Sequence, residues 1–399
     1  MSVMKPWRCF SNSVTASKKP DFLFWSLTMS ALLRTLIDDR LLQILLLIGL
    51  ITGALADFHS RQLADAVDWH TILTLAGLLL LTKGIESSGY FAFLGQRLIQ
   101  RFCDQRSLAL FMVAASALLS TFLTNDVALF ITVPLTLTLR RFTLIPLNRL
   151  IIFEALAVNA GSLLTPIGNP QNILLWNKSG QSFLQFIGQM LPLALLLMAA
   201  LLVLTACSFG KKAIQLQAEQ PPLLWQRGLL IQCAVLYLLF IIALEFNLAG
   251  FALLIIALFF LWRTPQLLLQ LDWSLLVVFI LMFIDVFFLT HLPLLAAVFQ
   301  QLTHWAAGAR YLLAIGLSQF ISNVPATLLL LNILPASTLL SWAVNIGGFG
   351  LLPGSLANLI ALRMARDRRI WWQFHLYSMP FLLFACLAGW LLFLLIGVI

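Results

Sequence analysis

The triplet Thr124-Asn125-Asp126 stands in the middle of an apolar run, "STFLTNDVALFITVPL". A hydroxyl, an amide and a carboxylate side by side can coordinate a sodium ion, carry a proton, or help bind a small anion beside backbone donors. Ser322-Asn323-Val324-Pro325 interrupts a second apolar run, "SQFISNVPATLLLL". Two longer breaks are Thr165-Pro166-Ile167-Gly168-Asn169-Pro170 and Gly347-Gly348 through Pro353-Gly354-Ser355. Their prolines remove a backbone donor and their glycines permit sharp bends. Opened helix ends expose N–H groups, which favour anions, and carbonyls, which favour cations. Amide and hydroxyl side chains add contacts without fixed charge, a set suited to occupancy and release. The competing role for such residues is polar glue between helices.

Composition shows where these residues must work. The chain has 399 residues, 61% hydrophobic and only 10% charged, with a mean hydropathy of +0.98. That charge is too small to cover a soluble domain of this size. Apolar stretches of roughly 15–22 residues recur from Leu41 onward, the pattern of a polytopic helical membrane protein rather than a barrel. Five scattered cysteines imply neither a disulfide framework nor a metal site. The first residues lack the apolar core of a cleaved signal peptide. Residues 22–37 read either as an interfacial helix or as a short extension. Irregular backbone at membrane depth survives only where protein or a watery cavity satisfies it, so the four breaks demand a shared interior.

Basic residues set the expected orientation. Arg97, Arg101 and Arg106 precede the segment 107–139, and Arg140, Arg141 and Arg149 follow it. Basic loops stay cytoplasmic, so both ends lie on one side and a re-entrant hairpin is expected. The segment 311–335 is read in the same way. About nine crossings plus two hairpins result, with a cytoplasmic N-terminus and a periplasmic C-terminus. The opposite face then holds only Arg61, Lys178 and Arg310 of the 24 Lys and Arg, with Lys83 inside a span. This distribution assigns the formal charge of +9 to membrane orientation, not to nucleic acid.

The chain also repeats itself. Asp68-Trp69 and Asp272-Trp273 each open an apolar span, and Thr124-Asn125 and Ser322-Asn323 each break a hairpin. "AVNAGSLLTPIGNPQN" (157–172) aligns without gaps to "AVNIGGFGLLPGSLAN" (343–358), matching Asn159 with Asn345, Gly168 with Gly354 and Asn172 with Asn358. In the expected topology the two copies run in opposite directions across the membrane, the architecture of secondary transporters. The expected divisions are an N-terminal extension over 1–40, a first transmembrane repeat over 41–210, a cytoplasmic linker over 211–227 and an inverted second repeat over 228–399.

Asp126 is matched in the second copy by Val324, so its carboxylate is peculiar to the first. Intramembrane acids are functional candidates, and Asn125 with Asp126 forms the expected Na⁺ or proton site. Asp285, in "LMFIDVFFL" with Leu81 as its counterpart, reads either as a coupling acid or as a buried acid bonded to a neighbouring helix. Lys83 and Glu86 are expected to pair. The histidines form no cluster, and no HExxH or phosphate loop occurs, so neither a resident metal, a cofactor nor an enzyme is expected.

"TFLTNDVALFITVPL", "NAGSLLTPIGNPQNILLW" and "SNVPATLLLL" resemble the ion-transporter superfamily of arsenite efflux permeases, NhaD-type sodium–proton antiporters, citrate–metal symporters and divalent anion–sodium symporters. The resemblance covers about residues 41–399 and implies an elevator-like carrier with two re-entrant hairpins and two discontinuous helices. Carried over by motif, it implies a site of Asn125, Asp126, Asn159, Thr165, Asn169, Ser322, Asn323, Asn345, Ser355 and Asn358. Thr124, Gly168 and Asn172 join them from the breaks and the alignment. The second hairpin reads Ser-Asn-Val, where dicarboxylate carriers typically have Ser-Asn-Thr. The expected function is secondary transport of a small inorganic or organic anion coupled to H⁺ or Na⁺. A cation/proton antiporter and an arsenite-type efflux permease are the alternatives. The lipid bilayer is the expected partner, and superfamily analogy adds a homodimer.

Overall fold

The computed structural model describes residues 39–56, 62–140, 145–214, 225–246, 248–292, 304–331 and 333–396, with 143 and 301 besides. The 22–37 segment and most of the 211–227 linker lie outside them. The described elements are helices, with no strand among them. The order begins α1 (Arg40–Leu55), α2 (Gln62–Ala66), α3 (Trp69–Ser87), α4 (Tyr90–Arg101), α5 (Gln105–Phe122), α6 (Asn125–Leu139), α7 (Leu147–Ser162), α8 (Pro170–Ser179) and α9 (Phe183–Ser208). It continues with α10 (Arg227–Glu245), α11 (Ala249–Arg263), α12 (Gln266–Leu269), α13 (Trp273–Thr290), α14 (Ala307–Ile321), α15 (Asn323–Leu331), α16 (Thr338–Ile346), α17 (Leu356–Ala365) and α18 (Arg369–Ile396).

Local chemistry sets these boundaries. Asp68 caps α3 by accepting from Thr71 N at 3.1 Å, and Asp272 caps α13 by accepting from Leu275 N at 3.0 Å. The adjoining indoles repeat the match: Trp69 Nε1 donates to Ala64 O at 2.8 Å and Trp273 Nε1 to Leu268 O at 3.1 Å. The paired Asp-Trp signature is therefore one local structure used twice. A feature the hydropathy pattern does not announce is the 67° bend between α3 and α4. Gly89 makes it, at φ 81°, a conformation that side chains rarely adopt. Lys83 and Glu86 pair as expected, at 2.8 Å.

The outward faces of α9, α10 and α18 are apolar, with Leu184, Leu195, Leu238 and Leu395 exposed. Among the described residues four helices are long and apolar enough to cross a membrane, and the bent α3–α4 pair adds a fifth. α5 is one of the four at 18 residues, longer than the half-span expected, while α6 has 15. The polar residues lie inside instead. α7 is buried on every side from Leu150 to Ser162, and α16 and α17 are nearly so. α1 packs along α13, and α10 and α11 pack along α3. The remaining long helices gather around α7 and α16, with α6 against α17 and α15 against α8. Each hairpin's return arm thus packs on the far half of the other repeat's broken helix.

Candidate functional site

The first hairpin turns at Leu123 and Thr124, both in extended backbone. Its tip closes on the break between α7 and α8. Asn125 N donates to Gly168 O at 2.9 Å, and Thr165 Oγ1 donates to Thr121 O at 2.7 Å. Thr121 Oγ1 in turn reaches Gly161 O at 3.1 Å. The tip therefore meets the broken helix at its interruption rather than at an end.

The second hairpin meets the second break through a residue the sequence pattern does not flag. Gln319 Nε2 donates to Gly347 O, and Gln319 Oε1 accepts from Leu351 N, both at 2.7 Å. Thr121 and Gln319 stand at matching positions before the two tips, and Gly161 and Gly347 match in the gapless alignment. The two clamps are thus equivalent. Close approach needs glycine at both points: a Cβ on Gly161 would lie 2.1 Å from Ala117 O, and one on Gly347 2.4 Å from Ser318 Cβ.

Four asparagines join the two breaks. Asn159 Nδ2 donates to Asn358 Oδ1 at 2.8 Å, and Asn345 Nδ2 donates to Asn172 Oδ1 at 2.7 Å. Ser355 Oγ donates to Asn159 Oδ1 at 2.9 Å, and its counterpart Asn169 Nδ2 to Asn345 Oδ1 at 3.1 Å. Asn172 and Asn358 then hold matching carbonyls, Ser162 O at 3.3 Å and Gly348 O at 2.9 Å. Exchanging the repeats maps this network onto itself. Reciprocal contacts of that kind define a local two-fold relation. All six side chains are buried, where an unpaired amide would cost about 1–3 kcal/mol.

Polar groups without a partner mark where something else can bind. Asp126 Oδ1 is buried and unpartnered among the described residues, as is Gln171 Oε1, another residue the motifs did not single out. No hydrogen bond there reaches the backbone N of Asn323, Val324, Leu356 or Ala357. Ser322, at φ 72° and ψ 153°, cannot cap α15 in the usual way, and the Ser355 hydroxyl does not cap α17. In the first repeat the caps are filled: Thr124 Oγ1 accepts from Val127 N and Asn169 Oδ1 from Asn172 N.

Asp285 is not brought to this network. It lies in the α1–α13 seam, where a Cβ on Gly49 would be 2.6 Å from its Oδ1, and both its oxygens lack partners among the described residues. A third acid was passed over by the sequence reading. Glu154, within α7, is fully buried, and its Oε1 accepts from Thr136 Oγ1 at 2.5 Å. Its signal was available: a single acid within an apolar span. The described residues contain no cluster of three His, Cys, Asp or Glu. At the edge of the bundle, Arg363 on α17 bonds Asp39 and, at 3.2 Å, Ser274 Oγ on α13. Burial works to raise the Asp39 carboxyl, but the Ser274 hydrogen bond and the Arg363 charge outweigh it and hold it below the usual range.

An all-helical bundle with apolar outer faces and two polar breaks in its interior is the form of a multi-pass membrane transporter. The chain belongs to the CitMHS family, described as citrate transporter, which matches residues 26–340. It is 58% identical over 360 residues to the inner membrane protein YbiR of Escherichia coli, covering 90% of this chain and 97% of that one. It is 30% identical over 338 residues to the uncharacterized transporter MJ0456 of Methanocaldococcus jannaschii, covering 82% and 90% respectively. The solved YdaH transporter of Alcanivorax borkumensis is 16% identical and spans 90% of this chain and 97% of its own, at a TM-score of 0.42. That last match is too loose to argue from.

Proposed function

We propose that this transporter carries a small anion across the inner membrane by alternating access, coupled to H⁺ or Na⁺. The observation that carries the reading is the unequal capping of the two repeats. α15 and α17 in the second repeat present open N–H groups, which favour an anion. The first repeat has its helix starts capped and adds the Asp126 carboxylate, which suits a proton or a sodium ion. Thr124, Asn125, Thr165, Gly168, Ser322, Asn323 and Ser355 complete the binding face. The paired Asn159, Asn169, Asn172, Asn345 and Asn358 hold the frame and exchange partners when solute enters.

The repeats, 41–210 and 228–399, are inverted in the bilayer in this reading, with the N-terminus cytoplasmic and the C-terminus periplasmic. The local two-fold network supports it. The bundle around α7 and α16 moves against α1, α3, α10, α11 and α13, and a homodimer would anchor those. The family's description makes citrate the first candidate, followed by dicarboxylates and oxyanions. The unpartnered Asp285 favours a second reading, a cation/proton antiporter using Asp126 and Asp285. An arsenite-type efflux permease is a third.

Uptake into proteoliposomes under separate sodium and pH gradients, with citrate, dicarboxylates, phosphate and arsenite, tests the proposal. Anion uptake driven by one gradient, with Asp126→Asn losing the drive but retaining anion binding, is the expected result. Indifference to both gradients overturns coupling. Sodium–proton exchange without any anion, lost in Asp126→Asn and Asp285→Asn alike, establishes the antiporter instead.

A further inference from the structure

Glu154 is the most completely enclosed acid among the described residues, and nothing in the site above uses it. Its side chain and that of Thr136 are both fully buried. Thr136 Oγ1 donates to Oε1 at 2.5 Å, while Oε2 has no partner among the described residues. An ionised carboxylate so placed would bear its charge against one hydroxyl, in surroundings where an unpaired charge costs several kcal/mol or more.

Among the described residues no cation pairs with it. Of the elements packed against α7, α5 brings Arg106, which donates to Phe209 O, and α17 brings Arg363, held by Asp39. Arg149 on α7 itself donates to Ser208 O. Asp126 and Arg140 lie at the two ends of α6, and Arg366 follows the end of α17. On α18, Arg369 opens the helix, His375 Nδ1 sits 2.8 Å from Trp371 O and Tyr377 stacks edge-on against Phe153. The thiols there are Cys386 on α18 and Cys207 near the end of α9. No ion pair in the described residues includes Glu154. A hard metal cation would take about six oxygen ligands, and Glu154 has one hydrogen-bond partner among the described residues. A proton on Oε2 removes the charge and needs no further ligand to do so.

Polar side chains also recur on the helix face that leads to it. Asn125, Thr132 and Thr136 fall one heptad and then one turn apart, on one face of α6. All three are buried, and Thr132 Oγ1 is itself without a partner. This stripe runs from the hairpin tip to Glu154, which lies five residues, or about 7.5 Å of helix rise, before Asn159 on α7.

We propose that Glu154 with Thr136 is a proton-binding site carried in the same bundle as the broken helices, emptied and refilled in each transport cycle by water admitted along the Asn125–Thr132–Thr136 face, which carries the proton to and from Oε2 as hydronium. The cycle, though not the proton site, rests on the transport reading above.

Infrared difference spectroscopy of the reconstituted full chain tests the site without any substrate. Among the protonated carboxyl bands near neutral pH, one belonging to Glu154 is expected in the wild type. It should vanish in Glu154→Gln, persist in Asp126→Asn and shift in Thr136→Val. Persistence in Glu154→Gln, or its absence from the wild type, overturns the proposal. Glu154→Asp and Thr136→Val keep the test open should Glu154→Gln fail to fold. Citrate uptake then tests the cycle. One coupled proton makes a gradient of about one pH unit worth about tenfold in accumulation. Wild type should show that gain and Glu154→Gln none, and an unchanged tenfold gain in Glu154→Gln overturns the coupling role. If none of the anions tested is carried, the transport reading fails, and the infrared titration alone decides the proton site.

Discussion

At the first hairpin tip Thr124 caps α6 and a carboxylate follows it; at the second, Ser322 turns the chain at φ 72° and leaves the start of α15 open. The surrounding scaffolding is nearly the same. Both tips are clamped to a matching glycine carbonyl, by Thr121 in one repeat and Gln319 in the other, and both breaks are bound by reciprocal asparagine pairs. The two halves thus share what holds the bent backbone, while the residues at the tips differ. Buried polar backbone allows few solutions for its support, because every donor and acceptor must be met.

The comparison breaks most sharply at its glycines. Gly161→Ala drives a Cβ to 2.1 Å from the Ala117 backbone oxygen, and Gly347→Ala drives one to 2.4 Å from Ser318 Cβ, which moves only with its backbone. Overpacking costs typically about 1–3 kcal/mol, and both should reach or exceed the top of that range, with Gly161→Ala, the closer clash, the larger. Thermal unfolding of the purified chains in detergent reads the difference, and equal midpoints would mean that the α5–α7 contact yields as readily as its counterpart.

Next come the asparagines. Asn159→Ala strands Asn358 Oδ1 and the Ser355 hydroxyl, and Asn345→Ala strands Asn172 Oδ1 and part of the Asn169 amide. Each should cost about 2–3 kcal/mol, and the two should agree within about 1 kcal/mol. One silent substitution beside one severe one would show that the two-fold relation does not extend to energetics.

The smallest effects should differ in sign. Ser322→Gly removes a side chain from a backbone region that is nearly exclusive to glycine, for a net gain of about 1 kcal/mol. Thr124→Ala deletes a cap and should lose about 1 kcal/mol. Matching losses at both positions would mean that Ser322 contributes a contact that outweighs its strain.

Much of this was legible in the residues. Trp69 and Trp273 each follow a capping aspartate, and that motif announced both spans. Polar triplets within apolar runs marked the tips, and the gapless 157–172 and 343–358 match located both breaks. What escaped was partner choice. Gln319 reads as an ordinary polar residue near a hairpin tip, and Gln171 as part of a break. Glu154, near one end of its apolar run, is not singled out by any motif as Asp126 and Asp285 are. The α3–α4 bend escaped because one left-handed glycine leaves no trace in hydropathy.

The sequence by itself determined the membrane class, the duplication, the four interruptions and the acid that only the first tip carries. These depend on residue type and order, which lipid selects strongly because it accepts so little polarity. Only the tertiary structure decided that the asparagines bond reciprocally across the repeats, that Asp285 stands apart in the α1–α13 seam, and that Glu154 is sealed against Thr136. Those outcomes depend on which buried donor meets which acceptor. That pairing is set by the packing of helices distant in the chain, and no local pattern encodes it.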